Sequence, residues 1–304
     1  MKTYSYILQP YKGMSTRFVC PACKKPAKTF TLYISTETNQ PLHHTVGICN
    51  RFSKCAYHYT PKQYFIDNNI AYTKPVYCTP PAPFKQQAIS YIPDVVFAAS
   101  LKEYNKNNFV QFLSRLFSAD VVTKLIHKYY IGTAKYWQGA TVFWQIDMRG
   151  KIHTGKLMLY NPATGKRVKQ PYNHIQWAHK TIGQAHFNLR QCLFGEHLLA
   201  NNNQPIALVE SEKTALIASV YFPNFIWLAV GSLSNLTLQK CAVLKGKSVT
   251  LYPDLNAFEK WNAQAKELTA ICEITVSDLL ERNATSAQKQ QGLDLADYLV
   301  AHKK

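Results

Sequence analysis

The sequence predicts an α+β multidomain protein, and three observations carry that prediction. Four cysteines gather between positions 20 and 55, a proline-rich stretch follows them, and the last third alternates short apolar runs with helix-like segments. The prolines of Lys74-Pro75-Val76-Tyr77-Cys78-Thr79-Pro80-Pro81-Ala82-Pro83 hold fixed backbone angles and offer few ladder donors, so this stretch reads as a linker. The partition that follows is a cysteine-bearing domain over 1–75, a linker over 76–98, a basic α+β unit over 99–200 and an α/β domain over 201–304.

In the first domain, Cys20-Pro21-Ala22-Cys23 is a short knuckle that points two thiolates at one tetrahedral cation, and Cys49 and Cys55 bring the sulfurs to four. That set suits a closed structural Zn²⁺ site, which holds a fold and does no chemistry. The gap between Cys49 and Cys55 is wide for a second pair, so Cys55 with His58 stands as the alternative. Met1 to Gly13 lacks a continuous apolar run, and Pro223 and Asn224 interrupt the longest apolar stretch, Leu216 to Val230. Neither a secretion signal nor a membrane span is expected, and a cytoplasmic protein with reduced thiols is. Cys78, Cys192, Cys241 and Cys272 stand alone in apolar surroundings and read as core.

In the middle unit, Phe109, Phe112, Leu113, Leu116 and Phe117, then Val121, Leu125 and Tyr129, recur at helical spacing and predict two helices that turn near Ser118-Ala119-Asp120. Residues 141–146 and 156–160 read as strands around a turn at Arg149-Gly150-Lys151, and Asn161-Pro162-Ala163-Thr164-Gly165 reads as a second turn leading into the basic Lys166-Arg167-Val168-Lys169. In the last third, strands are expected over 206–209, 225–229, 248–252 and 273–276. Helices are expected over about 212–220, after Ser234, over about 257–270 and after Asp294. Such βα alternation predicts a parallel-rich sheet whose ligands bind at the carboxyl ends of strands.

Charge sharpens this partition. The net charge is +18, yet residues 1–100 hold 11 Lys/Arg against 3 Asp/Glu, 101–200 hold 14 against 4, and 201–304 hold 10 against 10. A basic body beside an acid-containing domain is what a nucleic-acid enzyme needs, because Lys and Arg neutralise phosphates while carboxylates hold cations. Lys24, Lys25, Arg51 and Lys54, interleaved with Phe30, Tyr33, Phe52, Tyr57 and Tyr59, are candidates for tracking a single strand by charge and stacking, with packing of a small ribbon as the competing role of the rings. Glu210 and Asp254 fall at the carboxyl ends of expected strands, and with Asp294 and Asp297 they are the candidates for cation binding and proton transfer. Oxygen ligands of this kind suit Mg²⁺ or Mn²⁺.

Val209-Glu210-Ser211-Glu212-Lys213-Thr214-Ala215, Ala229-Val230-Gly231-Ser232 and Leu251-Tyr252-Pro253-Asp254-Leu255-Asn256 resemble the three signature segments of the toprim domain, which bacterial-type primases, topoisomerases and related nucleases share. Gly292-Leu293-Asp294-Leu295-Ala296-Asp297-Tyr298 resembles the acidic segment that closes this domain in plasmid and phage primase-like proteins. Four cysteines, a basic middle unit and then toprim is also the domain order of bacterial-type primases. Gly165-Lys166-Arg167 and a helix-like run over Gln191 to His197 fit primase-like proteins of bacterial mobile elements.

The resemblance implies an N-terminal zinc ribbon, an α+β middle unit and a C-terminal α/β toprim domain. It implies a DNA primase-like function: binding of single-stranded DNA and nucleotides, and primer synthesis by metal-dependent nucleotidyl transfer beside a helicase or relaxase. Glu210 would be the acid/base, and Asp254, Asn256, Asp294 and Asp297 would surround Mg²⁺. Lys156, Lys166, Arg167 and Lys169 would meet template or nucleotide phosphates. Asn256 stands where the family has its second aspartate, Ser211 where it has glycine and Thr214 where aspartate is frequent. A non-catalytic nucleic-acid-binding protein with a degenerate toprim site, and a toprim nuclease, are the alternatives.

Overall fold

The computed structural model describes residues 5–51, 55–70, 88–184 and 186–301, so Lys54, Phe52, Cys78 and the proline-rich stretch lie outside the described residues. The chain divides into two compact units, Met1–Gln86 and Gln87–Lys304.

In the first unit β1 (Tyr6–Leu8), β2 (Phe30–Ser35), β3 (Gly47–Cys49) and β4 (His58–Tyr59) form an antiparallel sheet in that order, followed by α1 (Pro61–Asp67). Helix α1 starts where it does because the Thr60 hydroxyl accepts the Gln63 N–H at 3.2 Å and Pro61, with no N–H to satisfy, takes the first helical position. The core here is small: Cys20, Phe30, Leu32 and Cys49 are buried, with Phe18, Cys23, Cys55 and Tyr57 packed against them. So little apolar burial leaves the ribbon dependent on a crosslink of another kind.

The second unit opens with α2 (Asp94–Ser100), α3 (Asn108–Leu116) and α4 (Ala119–Tyr129). Asn107 starts α3: its side-chain oxygen accepts the backbone N–H groups of Phe109 and Val110, and its amide donates to Gly132 O at 3.1 Å. An antiparallel sheet follows, β5 (Gly132–Ala134), β6 (Ala140–Ile146), β7 (Ile152–Met158) and β8 (Ile175–Trp177), with α5 (Ala178–Thr181) after it. Its inner strands β6 and β7 are buried along their whole length.

The last third then alternates β9 (Ile206–Val209), α6 (Glu212–Tyr221), β10 (Ile226–Ala229), α7 (Leu238–Cys241), β11 (Ser248–Tyr252), α8 (Phe258–Leu268) and β12 (Glu273–Val276), and closes with α9 (Leu279–Asn283), α10 (Ser286–Gln291) and α11 (Leu295–Ala301). The strands are all parallel in the order β10-β9-β11-β12. Side chains alternate across β9. Ala207 and Val209 face a core built with α6 and α11, while Ile206 and Leu208 face a second core with Trp261, Ala265 and Leu268 of α8. Both faces are therefore covered, as a parallel sheet requires.

The first of these cores continues into the middle of the chain. Tyr129 at the end of α4 donates its hydroxyl to Trp227 O at 3.2 Å and stacks on Phe194 at 5.4 Å, and Phe109, Phe143 and Tyr160 join the same cluster. One expectation changes: Gln191 to His197 is not a helix. Phe194 pairs with Ala229 as an isolated antiparallel bridge at the outer edge of β10, Gly195 turns the chain at φ +82, and a 3₁₀ turn follows over Glu196–Leu199. The buried Glu196 carboxylate accepts the Leu193 N–H at 3.0 Å, satisfying the non-helical backbone. Among the described residues no helix is long and apolar enough to cross a membrane.

Candidate functional site

Two charged centres stand out, one in each unit. In the first, the Sγ atoms of Cys20, Cys23, Cys49 and Cys55 all lie within 4.8 Å of one another, with Cys20 and Cys55 at 3.8 Å. A tetrahedron of sulfurs about 2.3 Å from a central Zn²⁺ has edges of roughly 3.8 Å, so the donor set fits that ion. A hydrogen bond from the Lys25 backbone holds the Cys23 thiol down to about 6, against burial, with Cys55, Cys20 and Arg51 adding to the pull. At Cys55 the Tyr57 backbone lowers the pKa, but burial and the other three thiols win and push it up to about 11. Accumulating thiolate charge is thus resisted, and a cation relieves it.

Arg51 donates to Cys23 Sγ at 3.6 Å and is engaged at the cysteine centre, while Lys24 and Lys25 are exposed. His58 lies outside the sulfur set and meets the Tyr33 hydroxyl at 3.0 Å. Phe30 is fully buried with Tyr57 packed on it, so those two rings serve the core, and Tyr59 donates to Asp67.

The second centre lies at the carboxyl edge of the parallel sheet. The chain runs from β9 out to β10 and then back across to β11, which makes the gap between β9 and β11 the topological switch point where such sheets bind ligands. Val209 and Tyr252 are register partners on these strands, Glu210 follows the first directly, and Asp254 follows the second by two residues. Neither acid is a helix cap. Ser211 caps α6 by accepting the Thr214 N–H at 3.1 Å, and α8 begins without a side-chain cap. Asp254 Oδ1 is buried with no hydrogen-bond partner.

Electrostatics tie the group together. Burial pushes the Glu210 carboxyl up, while Lys156, the Leu233 backbone and Arg167 pull it back and Glu212 adds to the rise. Asp254 is pushed up to about 8, first by burial, then by Asp294 and Glu210, with Lys213 opposing. Asp294 and Asp297 face each other across the start of α11, where the Asp297 N–H donates to Asp294 at 2.8 Å.

Three residues to which the sequence assigned no individual role complete the centre. Lys213 bridges Asp294 at 3.1 Å and Asp297 at 2.8 Å. A lysine in the first turn of a helix opposes the dipole, and that misfit is the signal that could have flagged it. Glu212 is 1% exposed and takes Lys156 Nζ at 3.1 Å, and the same ammonium donates to Gly231 O at 2.8 Å. Gly231 has φ +84, and a Cβ there would lie 3.2 Å from the second Glu212 oxygen, so the turn needs glycine to clear the pair.

Lys156, expected to contact phosphate, is instead a buried countercharge inside the fold. Lys166, Arg167 and Lys169 are exposed. Asn256 points elsewhere: at φ +68 it donates its amide to Lys289 O, and its backbone N–H donates to Glu281. Among the described residues the four cysteines are the His/Cys/Asp/Glu set already drawn tight enough for an ion.

Residues 4–70 match the zinc beta-ribbon finger family. The N-terminal unit is a zinc ribbon. Residues 107–255 match a family described as a domain of unknown function (DUF6371). No curated protein matches the chain. Among solved structures the chain is similar to the primase fragment of the bacteriophage T7 primase-helicase protein, at 12% identity over 91% of this chain and 98% of that one with a TM-score of 0.39. It is similar to the DnaG catalytic core at 14% identity over 68% and 81%, with a TM-score of 0.41. A DNA primase domain from Pseudomonas aeruginosa shares 12% identity over 62% and 64%, with a TM-score of 0.31.

Proposed function

We propose that this chain is a primase-like protein of the toprim type, which binds single-stranded DNA on its basic surfaces and joins nucleotides at the carboxyl edge of its parallel sheet. The observation that carries the reading is the placement of Glu210 and Asp254 at adjacent strand ends beside the switch point, with Asp254 Oδ1 buried and unpartnered and the carboxyl raised to about 8. A carboxylate so placed favours a hard divalent cation, because the cation offsets both the burial and the repulsion from neighbouring acids that keep the group protonated. Asp254 and Asp294 would hold Mg²⁺ or Mn²⁺, which when bound polarises phosphoryl oxygens and offsets their charge.

In the reaction a ribonucleotide 3′ oxygen forms a bond to the α-phosphorus of an incoming triphosphate. The bond from that phosphorus to the β-phosphate oxygen breaks, and pyrophosphate leaves. Glu210 takes the hydroxyl proton, and burial, which pushes its carboxyl up, makes it a stronger base than an exposed carboxylate. Arg167, exposed and within charge reach of Glu210, would meet the triphosphate. A basic stretch of this kind supports phosphate binding by charge alone.

A second reading, a non-catalytic DNA-binding protein built on the same scaffold, is favoured by Lys213 and Asn256. The ammonium already neutralises Asp294 and Asp297, and the neutral amide is tied to Lys289. Primer synthesis separates the two: purified protein with single-stranded DNA, labelled ribonucleotides and Mg²⁺ or Mn²⁺ is run beside Glu210→Gln. Product from the wild type and none from the variant supports the primase. DNA binding without product in either supports the scaffold, and loss of DNA without added nucleotides identifies a nuclease.

A further inference from the structure

One end of the antiparallel sheet carries a run of half-exposed aromatic rings. The β5–β6 turn, the end of β7 and the start of β8 meet there, because Thr141 pairs with Met158 and Met158 with Ile175. Tyr172 lies nearly parallel to His174 at 4.4 Å, His174 meets Trp137 at 5.2 Å, and Trp137 meets Tyr136 at 4.7 Å. Tyr136 is 51% and Tyr172 56% exposed, so the run is open to solvent at both ends. Beside Trp137 lies a groove of about 600 Å³ lined by Asn105, Lys106, Asn108, Gln111, Lys135 and Gln138.

Flat faces, amide donors and acceptors, and flanking cations are the three kinds of group that a single strand engages through its bases, base edges and phosphates. Charge fits such an occupant. Lys102, Lys106 and Lys135, and Lys166, Arg167 and Lys169 on the chain that leads to Tyr172, are all exposed. The acid at the groove, Glu103, is already paired with Lys106 at 2.7 Å. Duplex DNA hides its base faces in the stack, so the rings select the single strand. The chain that leaves Arg167 leads through Lys169 and Tyr172 to His174, so this surface begins within charge reach of Glu210.

We propose that this end of the sheet is a single-stranded DNA subsite. Tyr172, His174, Trp137 and Tyr136 stack on bases while Lys135, Lys166 and Lys169 neutralise phosphates. The subsite rests on the proposed function for its purpose, to carry template toward Glu210, but its binding is measured independently of catalysis.

The test is fluorescence anisotropy of labelled oligo-dT with the full chain, together with quenching of tryptophan emission. Trp137→Ala with Tyr172→Ala is expected to weaken binding by about tenfold or more for each ring removed. Lys135→Gln and Lys169→Gln are each expected to lower the slope of log affinity against log salt by about one and to spare the stacking. Tyr172→Leu, at a position more than half exposed, serves as the milder variant if the double substitution does not fold, judged by circular dichroism.

Unchanged oligo-dT affinity in the folded aromatic variants would overturn the subsite. Equal loss of duplex affinity, or full quenching by a nucleoside triphosphate alone, would reassign the surface and overturn it as well. A wild type that binds oligo-dT through these rings but makes no primer sinks the primase reading alone. Primer synthesis untouched by the aromatic substitutions sinks the subsite alone.

Discussion

The cysteine centre and the carboxylate centre solve the same problem, clustered negative charge, in opposite ways. Around Cys20, Cys23, Cys49 and Cys55 the guanidinium of Arg51 reaches a single sulfur at 3.6 Å, and the core cluster that Cys20 and Cys49 join adds Phe30 and Leu32 as its other buried side chains. Around Glu210 and Asp254 the fold supplies its own cations. Lys213 spans two aspartates, and Lys156 fills the space between Glu212 and Gly231. The first centre therefore depends on an external ion for structure, whereas the second supplies its own cations and leaves Asp254 Oδ1 and Glu212 Oε1 without a hydrogen-bond partner. A metal that builds a fold and a metal that serves chemistry are told apart by which charges the protein has already neutralised.

The largest expected effect breaks the first half of that comparison. Structural Zn²⁺ contributes on the order of 10 kcal/mol to the folding of small ribbons. Chelation, or Cys20→Ser, is expected to remove amide protection in β2 and β3 while β9 and β11 keep theirs, read by hydrogen exchange on the full chain. Persistent protection of β2 and β3 after zinc removal would show that the ribbon stands on its apolar core.

The next effect tests whether the internal cations are structural. Lys156→Met strands the Glu212 carboxylate, which is 1% exposed, and removal of one partner of a buried pair costs about 3–5 kcal/mol. A fall in Tm on the order of 10 °C is expected for a unit of this size. The double variant Lys156→Met, Glu212→Leu is expected to regain most of it, since the stranded charge goes with its partner. A double variant no better than the single one would locate the loss in the Gly231 contact.

Much of the fold was legible because it is local. Ile206–Val209 is a short apolar run, Ser248–Tyr252 and Glu273–Val276 alternate polar with apolar residues, and the strands fall where these segments do. The two middle helices follow from the spacing of Phe109 to Phe117 and of Val121 to Tyr129. Gln191 to His197 misled because its apolar residues serve a bridge to Ala229 and a glycine turn, and spacing alone does not reveal a partner so far along the chain. The same limit hid the ion pairs. Lys156 and Glu212 lie 56 residues apart and Lys213 and Asp297 84 apart, so a lysine that looks like a phosphate contact in sequence becomes a countercharge once the chain is folded.

The last of these effects concerns the unpartnered carboxyl of Asp254, and its sign is fixed by linkage. Asp254 rises from an ordinary 3.8 to about 8 on folding, so between those values the native state holds a proton that the unfolded chain has released. Stability from this residue is therefore lost as pH rises through that window. Asp254→Asn removes the dependence. Its Tm is expected to equal the wild type's near pH 4 and to exceed it near pH 8. Mn²⁺ or Mg²⁺ competes with the same proton, so the cation is expected to raise the wild-type Tm near pH 8, to do little near pH 5 and to leave Asp254→Asn unmoved. A cation shift of equal size in the variant would place the ion away from Asp254. No shift in either protein would leave Lys213 as the cation of this centre and favour the scaffold reading.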